Sequence, residues 1–234
     1  MKYIPKIIHQ IWSGKHGPIP EKFAEFTETW KIHHPDWEYM LWDEDAMNRL
    51  TEEEYPQYKR LFDNLPFDIQ RWDVARYLIL LSRGGLYADM DYQCLKPFHN
   101  MLDQQTCCLG MEPASHFAMA AARHFCIGNA LMACISGHPF FQELVQAIFK
   151  QNLVYDERMN FLKWIVATTG PVIVTDTYFG YADRKSILLL SNTLVAPFSK
   201  MEAIDVIKDP EHERWRHKIK NAMAIHYFTG TWLE

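Results

Sequence analysis

Residues 67–97, FDIQRWDVARYLILLSRGGLYADMDYQCLKP, constrain the fold more than any other part of the chain. Apolar residues at Ile69, Trp72, Val74, Ala75, Tyr77, Leu78, Ile79, Leu80 and Leu81 occupy nearly every side of a 3.6-residue period, which predicts a helix that is largely buried. Gly84-Gly85 ends it, because glycine accepts the left-handed backbone that a helix C-terminus commonly needs. Beyond the glycines the pattern alternates. Leu86, Ala88, Met90 and Tyr92 fall on one face and Tyr87, Asp89, Asp91 and Gln93 on the other, which predicts a strand closed by Lys96-Pro97.

On such a strand the carboxylates of Asp89 and Asp91 stand side by side where the chain leaves a buried core. Like charges at close range raise one another's pKa unless a cation or hydrogen bonds compensate. A divalent metal is the simplest compensation, and oxygen ligands suit Mg²⁺ or Mn²⁺. Asp73 and Arg76 are charges within the apolar helix, three apart and so neighbours on its surface. Charges are rarely buried without a partner or a task.

The rest of the chain supplies an α/β setting. At 234 residues and 48% hydrophobic it has core-forming material for one domain, 1–234, with helical insertions. Net charge is −5, and the most basic stretch, RWRHKIK at Arg214–Lys220, is interrupted by Trp215, His217 and Ile219; it reads as the outer face of an amphipathic helix, which argues against a nucleic-acid partner. No run approaches the length of a membrane span, and MKYIPKIIHQIW has a proline and a histidine where a signal peptide has its apolar region, so a cytoplasmic protein without a transmembrane segment is expected. Cys94, Cys107, Cys108, Cys126 and Cys134 lack the CxxC spacing of a zinc site and read as buried thiols.

Strands are predicted at Lys6–Trp12, Trp37–Trp42, Thr106–Met111, Ile187–Leu190, Leu194–Phe198 and Ala222–Phe228. Helices are predicted at Glu21–His34, Ala46–Pro66, Phe140–Lys150, Glu157–Ala167, Val172–Phe179 and Arg214–Asn221. The alternation predicts a mostly parallel sheet with helices on both sides. Trp12 ends the first strand at a glycine- and proline-bearing loop, a position where open α/β sheets bind ligands, so it could stack on a base or fill the core. Asn129, in the apolar CIGNALMAC, needs a partner, either a backbone carbonyl or a sugar hydroxyl. His226 lies on the last strand, and His9 reads as a structural hydrogen-bonder.

IPKIIHQIW, HPDWEYMLWDE, WDVARYLILLSRGGLYADMDYQCLKP, GHPFF, TGP and a terminal histidine followed by a hydroxyl residue and tryptophan together resemble family 32 of the glycosyltransferases. These DxD-containing sugar transferases include the Och1-like α-mannosyltransferases and are distantly similar to clostridial toxin glucosyltransferase domains. The resemblance covers nearly the whole chain. It implies a GT-A fold, a single Rossmann-like domain, and retaining transfer from a nucleotide diphosphate sugar, UDP- or GDP-linked, to a glycan or other hydroxyl acceptor, with Mn²⁺ or Mg²⁺ as cofactor.

By position, the resemblance implies that Trp12 stacks on the nucleobase, Asp73 and Arg76 contact the donor, and Tyr87 lines the pocket. It further implies that Asp89 touches the ribose or a metal-bound water, Asp91 binds the metal, His226 is the later metal-side residue, and Thr231-Trp232 closes over the diphosphate. Relatives commonly have serine where Thr231 stands, and a closing segment two residues from the chain's end is expected to be mobile without donor. A metal-dependent nucleotidyltransferase or phosphohydrolase is an alternative, but it calls for further acidic residues at strand ends or a GxxxxGK[ST] loop, and neither is expected in this sequence. A nucleotide-sugar-binding module without turnover is a third possibility.

Overall fold

The computed structural model describes residues 3–116 and 125–230, and along them strands alternate with helices as the sequence predicts. The first part of the chain runs β1 (Ile7–Ile11), α1 (Glu21–His33), β2 (Glu38–Trp42), α2 (Glu44–Glu54), α3 (Pro56–Asp63), α4 (Asp68–Arg83), β3 (Gly85–Ala88) and β4 (Tyr92–Cys94). It continues through α5 (His99–Leu102), β5 (Cys107–Met111), β6 (Ile127–Cys134), α6 (Pro139–Phe149), α7 (Phe161–Thr168) and α8 (Pro171–Gly180). The last described elements are β7 (Ile187–Leu190), α9 (Asn192–Val195), α10 (Lys200–Lys208), α11 (Arg216–Ile219) and β8 (Ala224–His226).

Six strands form one sheet in the order β2-β1-β3-β6-β5-β7. β1 is parallel to β2 and β3, and β5 to β7, whereas β6 runs antiparallel to β3 and β5. The sheet is therefore mostly parallel, as expected. β4 and β8 leave it and pair antiparallel as a second, two-stranded sheet.

The apolar run of the central helix explains why it sits at the middle. Val74, Tyr77, Leu78, Ile79 and Leu80 of α4 are fully buried and pack with Phe140, Phe141 and Leu144 of α6 on one side of the sheet. Tyr87, Met132 and Cys134 face this cluster, while Leu86, Ala88 and Ala133 face a second one that contains Trp30 of α1. Neighbours along β3 thus serve opposite faces, as the pleat requires, and both faces are covered. All five cysteines are buried and free, and burial pushes the Cys94 and Cys108 thiols up to about 12.

Gly84 ends α4 at φ 67°, and the following Gly85 has φ 94°. A Cβ at Gly84 would lie 2.5 Å from the Ser136 backbone nitrogen, and one at Gly85 2.7 Å from the Ile7 carbonyl oxygen. The pair is required both for the turn and for the close approach of α4's end to the sheet.

Several local expectations differ from the structure. The helix predicted over Ala46–Pro66 is two helices, because Pro56 has no N–H to continue α2 and instead starts α3 in its first turn. Leu194–Phe198 is not a strand: α9 occupies Asn192–Val195, its first turn capped by Ser191. A short apolar run carries no period by which to separate the two forms. α10 was not anticipated, although Ser199 and Glu202 form a capping box at its start.

His9 is a structural hydrogen-bonder, as expected. Its Nδ1 accepts from the Trp42 indole N–H at 3.1 Å, and its Nε2 lies 2.8 Å from the Gly84 carbonyl oxygen, to which it donates. Both ring nitrogens are satisfied by the neutral form, and burial lowers the pKa to about 4. A depressed histidine pKa means that the unfolded chain binds the extra proton first. His9 therefore costs the fold roughly 3 kcal/mol as pH falls from 6.5 to 4, and nothing above that window. Asp73, raised to about 6, acts in the opposite sense over part of the same range, so bulk stability mixes the two. The expected result is an imidazole NMR titration of His9 with its midpoint near 4; a midpoint near 6.5 would refute the assignment.

Candidate active site

Asp89 and Asp91 do not lie on one strand face. β3 ends at Ala88, residues 89–91 turn with the Tyr92 N–H donating to the Asp89 carbonyl oxygen at 3.0 Å, and β4 begins at Tyr92. The apolar-polar alternation continues through this turn, so periodicity alone could not reveal it. Asp89 remains tied to the main sheet through its N–H to the Ala130 carbonyl at 2.9 Å. Its own carbonyl accepts from Gln10 Nε2 at 3.2 Å, and Gln10 Oε1 in turn accepts from Thr27 and Tyr39 at 2.8 and 2.9 Å. Gln10 is fully buried, and its polar character within KIIHQIW was the available signal that it holds something in place.

Asp73 and Arg76 meet on α4 as their spacing predicts, at 3.2 Å between Oδ1 and Nη2. Arg76 Nη1 also reaches Asp89 Oδ1 at 3.0 Å and donates to the Asn129 carbonyl oxygen at 3.1 Å, and the guanidinium lies over the Tyr87 ring. Asp73 accepts from Asn129 Nδ2 and from Thr169 Oγ1, both at 2.8 Å. Burial pushes the Asp73 carboxyl up to about 6 against the opposing Arg76 charge and these hydrogen bonds. Burial also raises Asp89, with Arg76 resisting and Asp91 adding to the rise. Tyr87 O–H donates to Asp89 Oδ1 at 2.6 Å.

Asp91 is held differently. Oδ2 accepts from the Thr229 N–H at 2.8 Å and from its hydroxyl at 2.9 Å, while Oδ1 lies 3.2 Å from His226 Nε2. Burial would raise this carboxyl, but the His226 charge and these hydrogen bonds outweigh it and bring it down to about 2. For His226 the lowering by burial is likewise outweighed, here by Asp91, and its pKa is raised. His226 stacks on Tyr92 with ring centroids 4.3 Å apart, and its Nδ1 is buried with no hydrogen-bond partner.

Asp89, Asp91 and His226 offer ligand atoms within 4.8 Å of one another. Two carboxylates and an imidazole fit Mn²⁺, and the carboxylates alone suit Mg²⁺. Nε2 of His226 faces Asp91 and its Nδ1 has no partner, so the ring has a nitrogen uncommitted to the protein with which to bind an ion.

These groups line a cavity of about 580 Å³. Trp12, Asp73, Arg76, Tyr87, Asn129 and His226 all contribute to its wall. Trp12 is half-buried; its indole N–H donates to the Gly17 carbonyl at 2.9 Å and its ring meets Phe23 edge-on, so the loop after β1 fixes it at the rim. The Asn129 side chain does not bond a backbone carbonyl, one of the two expected partners: its amide donates to the Asp73 carboxylate and the Tyr77 hydroxyl, and its own backbone oxygen accepts from Arg76. Thr231 and Trp232 lie outside the described residues.

Glu112, which immediately follows β5, also lines the cavity with His116. This corrects the reading that no further acidic residue stands at a strand end. Thr229 was likewise not anticipated, because its contact with Asp91 spans 138 residues of sequence.

Residues 20–108 match the glycosyltransferase sugar-binding region containing a DXD motif. In sequence the chain is 31% identical over 172 residues to inositol phosphoceramide mannosyltransferase 3 of Schizosaccharomyces pombe, a match that covers 74% of this chain and 44% of that protein. It is 25% identical over 226 residues to the initiation-specific alpha-1,6-mannosyltransferase of the same organism, covering 88% of this chain and 53% of that protein. The chain spans about half the length of the relatives it matches in sequence. In fold it is similar to the ligand-free glycosyltransferase domain of the YGT toxin, with a TM-score of 0.57 at 10% identity, covering 93% of this chain and 89% of that one. Among the described residues no helix is long and apolar enough to cross a membrane.

Proposed function

The chain belongs to the glycosyltransferases whose sugar-binding region contains a DXD motif, and from that premise we propose that it carries out metal-dependent, retaining transfer of a sugar from a UDP- or GDP-sugar to a glycan or other hydroxyl acceptor. The observation that carries this reading is the junction of two unlike charge clusters in one cavity: Asp89, Asp91 and His226 on one side, Asp73 and Arg76 on the other. A nucleotide diphosphate sugar has the complementary parts, an anionic diphosphate that needs a cation and a sugar that needs hydrogen-bonding groups.

In this reading Asp91 and His226 hold Mn²⁺ or Mg²⁺, with Asp89 contributing directly or through the ribose. When bound, the metal supplies positive charge to the departing diphosphate. Thr229 keeps Asp91 ionised and aimed, and Gln10 holds the backbone of Asp89. Arg76 places fixed positive charge beside Asp89, and Asp73 accepts from donor hydroxyls. Asn129 and Tyr87 orient Asp73 and Asp89, while Thr231-Trp232 would cover the diphosphate. Retention follows if the acceptor approaches on the face from which the diphosphate departs and gives its proton to the leaving phosphate. The mannosyl relatives support a mannose donor as the first to test.

The direct test is hydrolysis of a panel of UDP- and GDP-sugars with and without Mn²⁺ or Mg²⁺, and analysis of the anomer transferred. A cleaved donor with a metal requirement is expected. Binding without cleavage would leave a nucleotide-sugar module, and cleavage between the phosphates would indicate a phosphohydrolase. A second expectation concerns Trp12. Base-aromatic stacking is worth about 1–3 kcal/mol, so Trp12→Ala should weaken nucleotide diphosphate binding by about tenfold or more in calorimetry. Unchanged affinity would remove Trp12 from the nucleotide site.

A further inference from the structure

The donor and metal groups leave one polar pair of the cavity wall without a role. Glu112 is buried, and its Oε2 lies 2.8 Å from His116 Nδ1. Its Oε1 rests over Gly128, where a Cβ would come within 2.4 Å of it, so the glycine opens the space that this carboxylate occupies. The N–H of Glu112 is fixed to the Cys126 carbonyl at 2.9 Å. The imidazole of His116 packs edge-on against Phe228 at 4.6 Å, and the other side of the Phe228 contact is His226 at 3.8 Å. The pair therefore stands one aromatic ring from the proposed metal group.

Its neighbours, rather than its depth, separate this pair from the donor groups: Glu112 is as buried as Asp91 and His226, but the wall beside it differs. Asp73 and Arg76 are 3% and 5% exposed and lie at the cavity floor, with their polar atoms bonded to Asn129, Thr169 and Asp89. Beside Glu112 and His116 the wall passes to Ser115, Lys200 and Met201, which are exposed, Met201 by 72%. A two-substrate transferase must admit its acceptor from solvent beside the donor, and this stretch of wall is where the cavity meets exposed residues. An ionised carboxylate only accepts hydrogen bonds and has capacity for about four, so one imidazole does not exhaust it. A few placed polar groups among apolar wall residues, here Phe228, Met201 and Leu162, are what orient a ligand in such a cavity.

We propose that Glu112 and His116 form the acceptor subsite, with the Glu112 carboxylate accepting from hydroxyls of a carbohydrate or other polyol and His116 orienting that carboxylate. This rests on the transferase reading above, narrows its acceptor to one with several hydroxyls and adds the residues that hold it.

The test uses the cleaved donor identified in the panel and four acceptor probes: methyl α-mannoside, methyl α-glucoside, methyl β-galactoside and myo-inositol, with 1-butanol as a plain alcohol. Transfer to at least one polyol and none to butanol is expected. A hydrogen bond to a charged group is worth about 1.5–3 kcal/mol, so Glu112→Gln should raise the KM for that polyol by about 10- to 100-fold. The Kd for nucleotide diphosphate with Mn²⁺ should stay unchanged, which also certifies folding. Gly128→Ala, which keeps the carboxylate's charge but displaces it, should reproduce the KM defect. An unchanged acceptor KM, a weakened nucleotide Kd in Glu112→Gln, or turnover of donor with no polyol accepted would each overturn the proposal. If the wild type neither binds nor cleaves any donor, the transferase reading itself fails, and the acceptor subsite with it.

Discussion

Arg76→Ala is expected to lose roughly 3–5 kcal/mol of folding stability together with donor turnover, because it strands the buried Asp73 carboxylate and withdraws the partner of Asp89. Urea unfolding of the purified variant measures the first effect, and donor hydrolysis measures the second. Arg76→Lys should not rescue either, since one ammonium cannot reproduce a planar fork that meets Asp73, Asp89 and the Asn129 carbonyl at once. Combining Asp73→Asn with Arg76→Met removes the stranded charge, so this pair of changes should recover much of the stability and none of the turnover. A single Arg76→Ala variant within about 1 kcal/mol of wild type would show that the buried ion pairs are far weaker than their geometry implies.

The second large effect is expected at Asp91. Asp91→Ala should reduce metal-dependent donor cleavage by about 10³-fold, the scale set by removing one group that stabilises developing charge. Manganese titration followed by electron paramagnetic resonance should show metal affinity lost in the presence of nucleotide diphosphate. Thr229→Val removes one of the two hydrogen bonds to Asp91 Oδ2 and leaves the other, so it should weaken metal binding far less. Retention of wild-type manganese affinity in Asp91→Ala would sink the assignment of this carboxylate to the metal.

Much of the site could be read from the chain, for reasons that particular residues make plain. The helix carrying Asp73 and Arg76 announces itself by its uninterrupted apolar run, and Gly84-Gly85 marks its end, because local backbone needs leave local signals. The turn at Asp89–Asp91 was hidden for the opposite reason: Met90 is buried, so apolar-polar alternation persists where the strand does not. α10 leaves its signal in Ser199 and Glu202, the two ends of a capping box. Glu112 and Thr229 are beyond pattern altogether, and Gln10 shows in KIIHQIW only that it needs a partner, not which one. Each acts through a partner far along the chain or through a glycine's missing Cβ, and only the folded topology brings those together.

The division of the two carboxylates between sheets has a consequence for how the protein is made. Asp89 directly follows β3 of the main sheet, whereas Asp91 directly precedes β4, whose partner is β8 with His226. A nascent chain finishes the main sheet when β7 emerges, and only later gains the strand that positions Asp91. Loop-closure entropy across so long a separation delays that pairing further. Assembly of the proposed metal group should accordingly be among the last events of synthesis, so a ribosome-bound chain halted just after β7 would be folded over most of its core and still lack His226 beside Asp91.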